Sequence, residues 1–318
     1  MNILVTGANG FIGKPLVERL RNDGHTIFCQ SRNCHADSLR NKWIKHNLIS
    51  DSWDSLLLPH IDIVYHLAGQ TSTYKAKQLP IADMQSNVIA LLNLLEYFRR
   101  QDKKPFMVLA GTITEVGLAD QLLVNETLKD KPITFYDISK LTAEMYLKQY
   151  VSEGFINGSI LRLSNVYGRY QHGDQTDRRV LDKIFDLAIA GKKISIYGNG
   201  EYIRDYIFID DVISALLLAP KNFDKTNGRS FCIGTGQGVT IKEAFLKVIA
   251  LANKVTDVSV THEFISPPND LSPIEYRNVI VDATSFRKAT GWTPQYNLDS
   301  GLNIAYEKYL SKPLKKVN

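Results

Sequence analysis

The apolar residues of this chain fall in short, β-branched runs that alternate with longer stretches of helical spacing. Residues 2–6, "NILVT", are the first such run and predict a strand. Gly7, Gly10 and Gly13 follow. Apolar residues at Leu16, Val17 and Leu20, with Pro15 in the first turn, then predict a helix to about Asn22 that Gly24 closes. "HTIFCQSRN" at 25–33, "IDIVYHLAG" at 61–69 and "KPFMVLAG" at 104–111 predict further strands, and "GSILRLSNVYG" at 158–168 continues the series. "SNVIALLNLLEYFRR" at 86–100 and "ITFYDISKLTAE" at 133–144 read as helices between them. Strands alternating with helices predict an α/β fold built on a doubly wound, Rossmann-like parallel sheet. Ligands of such sheets bind at the carboxyl ends of the strands. Thr112 should emerge there, at the end of "VLAGT".

Composition narrows the class. A chain of 318 residues with 44% hydrophobic residues suits one large domain and a smaller lobe. Net charge is +5, from 38 basic and 33 acidic residues, and the "KPLKK" tail is its one basic run. That balance does not read as a nucleic-acid footprint, so no nucleic-acid partner is expected. Cys29, Cys34 and Cys232 form no CxxC, and the seven histidines form no HExxH, so no metal is expected. Cys29 and Cys232 lie in apolar, strand-like runs and read as packed thiols. No apolar run approaches a membrane span, and the N-terminus has no basic leader or cleavage site. These features predict a reduced, cytoplasmic protein with no membrane partner.

Two motifs carry candidate chemistry. Gly7, Gly10 and Gly13 sit between a strand and a helix. There the first glycine permits a tight turn, the second lets a diphosphate approach the backbone, and the third lets helix and strand pack closely. Tyr136 and Lys140 are four residues apart, one turn apart on one helix face. Chance placement of 15 tyrosines and 24 lysines in 318 residues gives about one such pair, so the spacing alone decides nothing.

The surroundings decide it. "TGANGFIG", "VYHLAG", "NVIALLNLLE", "YDISK", "LRLSNVYG", "RDYIFIDD" and "GWTPQYNLDSGL" occur in an order and spacing that resemble the extended short-chain dehydrogenase/reductases. The resemblance is to their NAD-dependent epimerase/dehydratase family, which acts on nucleotide sugars. It covers nearly the whole chain. It implies that Tyr136 exchanges a proton with a sugar oxygen, that Lys140 lowers the phenol pKa and bonds the nicotinamide ribose, and that Thr112 supplies the third hydroxyl. Thr114 is the alternative to Thr112. The implied cofactor contacts are Gly7, Gly10, Phe11, Ile12, Gly13, Ser31, Arg32, Asn47, Leu48, Leu67, Ala68, Gly69, Tyr136 and Lys140. Asn165 and Arg204 correspond to contacts with the substrate diphosphate. A guanidinium fork matches phosphate oxygens, and the competing role for Arg204 is a salt bridge with Asp205 or Asp210. Where many members carry "RPGD", this chain has "SPIE" at 272–275, so that arginine is missing, and Arg277 is the nearest substitute. The implied organisation is a dinucleotide-binding domain over 1–165, with returning segments at about 204–235, and an interleaved α/β nucleotide-sugar lobe over 166–318.

The same comparison bears on the reaction. Dehydratases of the family place Asp-Glu after the hydroxyl residue. This chain has Ile113 and Thr114 there, which disfavours elimination, and Glu115 one position later reads as structural. Members that prefer NAD end the second strand in an acidic residue, whereas this chain has Ser31 followed by Arg32. A hydroxyl and a guanidinium suit a 2′-phosphate, which favours NADP(H), with NAD(H) as the alternative. The leading expectation is NADPH-dependent reduction of a nucleotide-linked 4-keto-6-deoxyhexose at C4. The alternative is a UDP-hexose 4-epimerase with bound NAD, and a non-catalytic cofactor-binding regulator or scaffold is the third reading. Val88, Ile89, Leu91, Leu92, Leu94, Leu95 and Phe98 spread around most of one helix, more than one sheet-facing stripe requires. That surplus predicts a further apolar contact, which the resemblance assigns to a homodimer pairing this helix and the Tyr136 helix across a two-fold axis.

Overall fold

The computed structural model describes residues 1–32, 41–168, 180–254 and 259–310. Cys34 and the "KPLKK" run lie outside them. Seven parallel strands form the main sheet. Their spatial order is Ser230–Ile233, Asn157–Leu163, Phe106–Thr112, Ile63–His66, Asn2–Thr6, Thr26–Ser31 and Asn41–Lys45. The order reverses direction beside Asn2–Thr6, which makes the carboxyl ends of Asn2–Thr6 and Ile63–His66 the switch point where such sheets bind ligands.

Both faces of the sheet are covered, and alternation along each strand divides the residues between them. Ile3, Val5, Ile27, Cys29, Ile63, Tyr65 and Val108 face one way. They pack with Leu16, Val17 and Leu20 of helix Gly13–Asn22 and with Val212, Ile213 and Leu216 of helix Ile209–Lys221. Leu4, Phe28, Val64, Met107 and Leu109 face the other way, against Leu91, Leu94, Leu95 and Phe98 of helix Ala90–Arg99 and Ala143 and Leu147 of helix Phe135–Ser152. Cys29 and Cys232 are buried thiols, and burial pushes the Cys29 thiol up to about 12.

Helix Ala90–Arg99 continues Pro80–Met84 through a single π turn, Gln85–Ile89. The apolar surplus expected to face a partner is largely covered within the chain: Val88, Leu91, Leu94, Leu95 and Phe98 are all buried. The apolar side chains left exposed lie nearby, at Ile81, Met84, Ile138 and Met145.

The second half of the chain builds smaller sheets beyond the carboxyl edge. Ile203–Phe208 pairs parallel with Asn165–Tyr167 and antiparallel with Gly238–Thr240. His262–Ile265 pairs with Ile194–Tyr197, and Ile280–Val281 pairs with Leu123–Val124. Among the described residues no helix is long and apolar enough to cross a membrane, and no cluster of His, Cys, Asp and Glu could hold a metal ion.

Candidate active site

The glycine turn is built against its neighbours. Gly7 has φ +64°, a left-handed conformation, and a Cβ there would sit 2.8 Å from Ala68 N. A Cβ on Gly13 would sit 2.3 Å from Gly7 O, so helix and turn could not pack as they do. Gly10 is exposed, and a Cβ there would meet only Gly7 O, at 3.0 Å, leaving its other side open. The helix beginning at Gly13 follows Ile12, whose apolar side chain gives no cap. Lys14 N donates back to Gly10 O at 3.1 Å and Pro15 has no N–H, which leaves the Gly13 N–H at this helix start to favour an anion. This combination of open glycine backbone and uncapped helix start fits a dinucleotide diphosphate.

Side chains hold the turn from beneath. Gly7 N donates to Gln30 Oε1 at 3.1 Å, and Gln30 Nε2 donates to His46 O at 2.6 Å. Thr6 Oγ1 lies 3.0 Å from His66 Nδ1 and accepts from Ala68 N at 3.3 Å. Burial, and then the charge of Lys140, lowers the His66 pKa to about 3, so this imidazole is neutral. Leu67 and Ala68 thus lie beside Gly7. The π turn brings Asn87 to the same loop, where Nδ2 donates to Gln70 O at 3.1 Å and Oδ1 is close enough to forbid a Cβ on Gly69. Ser31 closes its strand half-buried and Arg32 is exposed. Asn47 Oδ1 accepts from Ile49 N at 3.1 Å, and Leu48 O accepts from Asn93 Nδ2 at 2.9 Å.

Thr112 ends strand Phe106–Thr112 and caps the 3₁₀ turn Ile113–Val116. Its Oγ1 accepts from Thr114 N at 3.3 Å, and Glu115 Oε1 accepts from Thr112 N at 3.1 Å. Glu115 is fully buried in this cap, 3.1 Å from the Arg162 guanidinium, which gives it a structural role. Thr134 caps the helix that follows, accepting from Asp137 N at 3.1 Å, and so fixes Tyr136 in the first turn. Lys140 donates from Nζ to Ala110 O at 2.5 Å, which draws its ammonium to the strand that ends in Thr112. Thr112, Tyr136 and Lys140 are 6%, 4% and 8% exposed. Three polar groups are thereby held largely out of water, where their interactions are strong.

Asn165, Arg204 and Arg277 come together beyond the sheet edge. Arg277 donates from Nη2 to Asn165 Oδ1 at 3.0 Å, and Asn165 Nδ2 donates to Asp205 O at 3.1 Å. The expected alternative partners of Arg204 are not the ones it has. Asp205 points to the opposite side of the strand, where it accepts from Thr235 N, Thr235 Oγ1 and Gly236 N. Arg204 instead donates to Arg277 O and to Glu275 O at 2.7 Å, with the Glu275 carboxylate 3.6 Å away.

Sequence reasoning named Thr114 only as the alternative to Thr112, and it missed Gln30 and Asp137 as parts of this site. It also missed the buried cluster of Arg162 with Glu144 and Asp130 behind it. Thr114 Oγ1 donates to Asp137 Oδ1 at 2.6 Å, and Arg162 Nη1 donates to Asp130 Oδ1 at 2.6 Å. Burial beside a glycine turn or a helix start is the signal they share, and a single sequence shows it poorly for polar residues.

A glycine turn between the first strand and helix, with buried Thr112, Tyr136 and Lys140 on a doubly wound sheet, defines the class as a Rossmann-like dinucleotide enzyme of the short-chain dehydrogenase type. Residues 3–234 match the NAD dependent epimerase/dehydratase family, and the chain belongs to it. It is 29% identical over 326 residues to a UDP-glucose 4-epimerase of Mycolicibacterium smegmatis, covering 98% of this chain and 99% of the relative. The crystal structure of a UDP-glucose 4-epimerase from Thermotoga maritima, solved with UDP-glucose, superposes with a TM-score of 0.85 at 28% identity. It covers 98% of this chain and 99% of that one. The structure of MoeE5 in complex with UDP-glucuronic acid and NAD gives 0.84 at 26% identity, covering 98% and 100%.

Proposed function

We propose that this enzyme is a UDP-hexose 4-epimerase that keeps its NAD. The full-length similarity to UDP-glucose 4-epimerases, with a complete Thr112–Tyr136–Lys140 set at the strand edge, is the observation that carries the reading. Bound NAD would supply hydride exchange at the sugar carbon. Gly7, Gly10 and Gly13 would hold its diphosphate, and Lys140 its ribose. Tyr136 would take the proton from the sugar hydroxyl and return it after the sugar has turned over. Thr112 would meet the same oxygen. Asn165, Arg204 and Arg277 would form the polar wall for the nucleotide diphosphate. Ile113 is an isoleucine at 2% exposure, which leaves dehydration without an acid at that position. The exposed apolar side chains Ile81, Met84, Ile138 and Met145 lie on the two helix segments that would pair in a homodimer.

The second reading, NADPH-dependent reduction of a nucleotide-linked 4-keto-6-deoxyhexose, is favoured by Ser31 and the exposed Arg32 where an acidic residue would select NAD. One assay separates the two. Freshly purified protein is given UDP-glucose with no added cofactor, and UDP-galactose formation is followed by NMR. Interconversion is expected. Its absence, together with NADPH consumption on a nucleotide 4-keto-6-deoxy sugar that Arg32→Ala weakens, would replace the epimerase reading with the reductase one.

A further inference from the structure

We propose that Gln30 is a positioning residue that fixes the spacing between the glycine turn and the segment 46–48, and so holds the adenosine diphosphate half of the dinucleotide in place. The proposal rests on the reading of the glycine turn as the diphosphate site. Gln30 is 2% exposed near the end of strand Thr26–Ser31, between Thr6 on one neighbouring strand and Ile44 on the other. Its Oε1 accepts from Gly7 N at 3.1 Å and its main-chain O accepts from Ala8 N at 3.2 Å, so two successive N–H groups of the turn end on this one residue. Its Nε2 donates to His46 O at 2.6 Å. With an N–H at one end of the amide and a carbonyl at the other, only one orientation of the amide satisfies both.

Glycine adopts positive and negative φ about equally readily, and Gly7 is held at +64°. A turn without an anchor would exchange conformations and would have to be ordered again each time a dinucleotide bound. The bond to Gln30 supplies that order before the cofactor arrives. The same amide ties the turn to His46, which immediately precedes Asn47 and Leu48, residues expected on the cofactor. One side chain thus joins the two walls between which the adenosine diphosphate would lie. Being neutral, it does so without setting a charge beside the diphosphate. None of its hydrogen bonds reaches Asn165, Arg204 or Arg277.

Gln30→Met keeps the length of the side chain and removes the amide. Cys29→Ala is the control, because it opens a cavity beside Gln30 on the opposite face of the same strand and leaves the amide in place. The full chain is loaded with NADH, or with NADPH if that is the cofactor it retains. Release is followed by fluorescence after a chase with excess ADP-ribose. It should be faster by about 3- to 10-fold in Gln30→Met, the effect of one hydrogen bond. The dissociation constants for ADP-ribose and for the dinucleotide should rise by that same factor, and the constant for UDP should keep its wild-type value. Cys29→Ala should lower the Tm and leave release unchanged. Wild-type release in Gln30→Met, a matching loss of UDP affinity, or equal acceleration in Cys29→Ala would overturn the proposal. If Gln30→Met does not fold, hydrogen exchange on the wild-type chain decides. The Gly7 and Ala8 N–H groups should be protected without dinucleotide, and protection that arises only on adding it would overturn the proposal. A wild-type chain that binds neither NADH nor NADPH removes the diphosphate reading itself, whereas normal binding with wild-type release in Gln30→Met removes the Gln30 role alone.

Discussion

Replacing Arg162 by methionine tests how the active site is held together. Arg162 is 2% exposed on strand Asn157–Leu163. Its guanidinium donates to Glu144 at 2.8 and 2.7 Å and to Asp130 at 2.6 and 2.9 Å, and lies 3.1 Å from Glu115. Glu144 shares a helix with Tyr136, and Glu115 caps Thr112, so one cation ties the Tyr136 helix to the Thr112 turn. Burial works against the Glu144 charge, but the hydrogen bonds and charges of Arg162 and Lys148 outweigh it and hold the carboxyl down to about 2. Arg162→Met roughly preserves the length of the side chain and removes the cation. Asp130 can turn toward water, being 25% exposed, but Glu144 at 1% cannot. Breaking a buried pair in this way costs about 3–5 kcal/mol. Unfolding entropy of about 2.1 cal/mol/K per residue over the 318 residues converts that loss to a Tm lower by about 4–8 °C. Scanning calorimetry at neutral pH is the assay. Adding Glu144→Met to Arg162→Met removes the stranded charge and should recover much of the loss. A single variant within about 1 kcal/mol of wild type, or a double variant no better than the single, would refute the reasoning.

Burial, then the Glu144 charge, pushes Glu115 from 4.5 up to about 8. A carboxyl raised on folding stabilises while protonated, fully below about pH 4.5 and less as pH rises through about 8. Glu115→Gln should therefore keep its Tm between about pH 5 and pH 8 while wild type declines, and parallel curves would count against it. Tyr136→Phe should lower turnover by about 10²–10⁴-fold while cofactor stays bound, and near-normal turnover would remove Tyr136 from the chemistry. Met145 is 62% exposed on the Tyr136 helix, so Met145→Asp should convert a dimer to a monomer in light scattering with unchanged circular dichroism. A wild-type monomer at micromolar concentration would dismiss the dimer.

The parts of the fold legible in the sequence were those where one residue type has one physical use. Gly7 had to be glycine because of its left-handed turn, and Ile3, Val5 and Val64 alternate in a fully buried sheet, so strand, turn and helix could be placed from the letters alone. The edge strand Asn41–Lys45 was not legible. "NKWIK" has one buried side at most and reads as loop, and only pairing with Thr26–Ser31 makes it a strand. The apolar helix at 86–100 was read as carrying an excess, and much of it is covered inside the chain. Its packing partners are Met107, Leu109 and Ala143 of the same chain, which no periodicity within the helix could disclose.

The proposed nucleotide wall shows a different limit. "SPIE" lacks the arginine that many relatives carry, and counting along the chain leaves Arg277 five residues beyond Ser272. The fold closes that distance by a 3₁₀ turn, Pro273–Tyr276, which folds the chain back on itself. Arg277 then donates from Nη1 to Ile274 O at 2.8 Å and from Nη2 to Asn165 Oδ1 at 3.0 Å. Arg204 makes the turn possible. It is 3% exposed, and it donates to two carbonyl oxygens at the C-terminal end of the turn, those of Glu275 and Arg277. Carbonyls that face the buried Arg204 need donors, and a guanidinium brings several from one side chain. A contact that motif spacing assigns to one residue would here depend on two. Arg204 is the brace, and Arg277 is the guanidinium it sets beside Asn165.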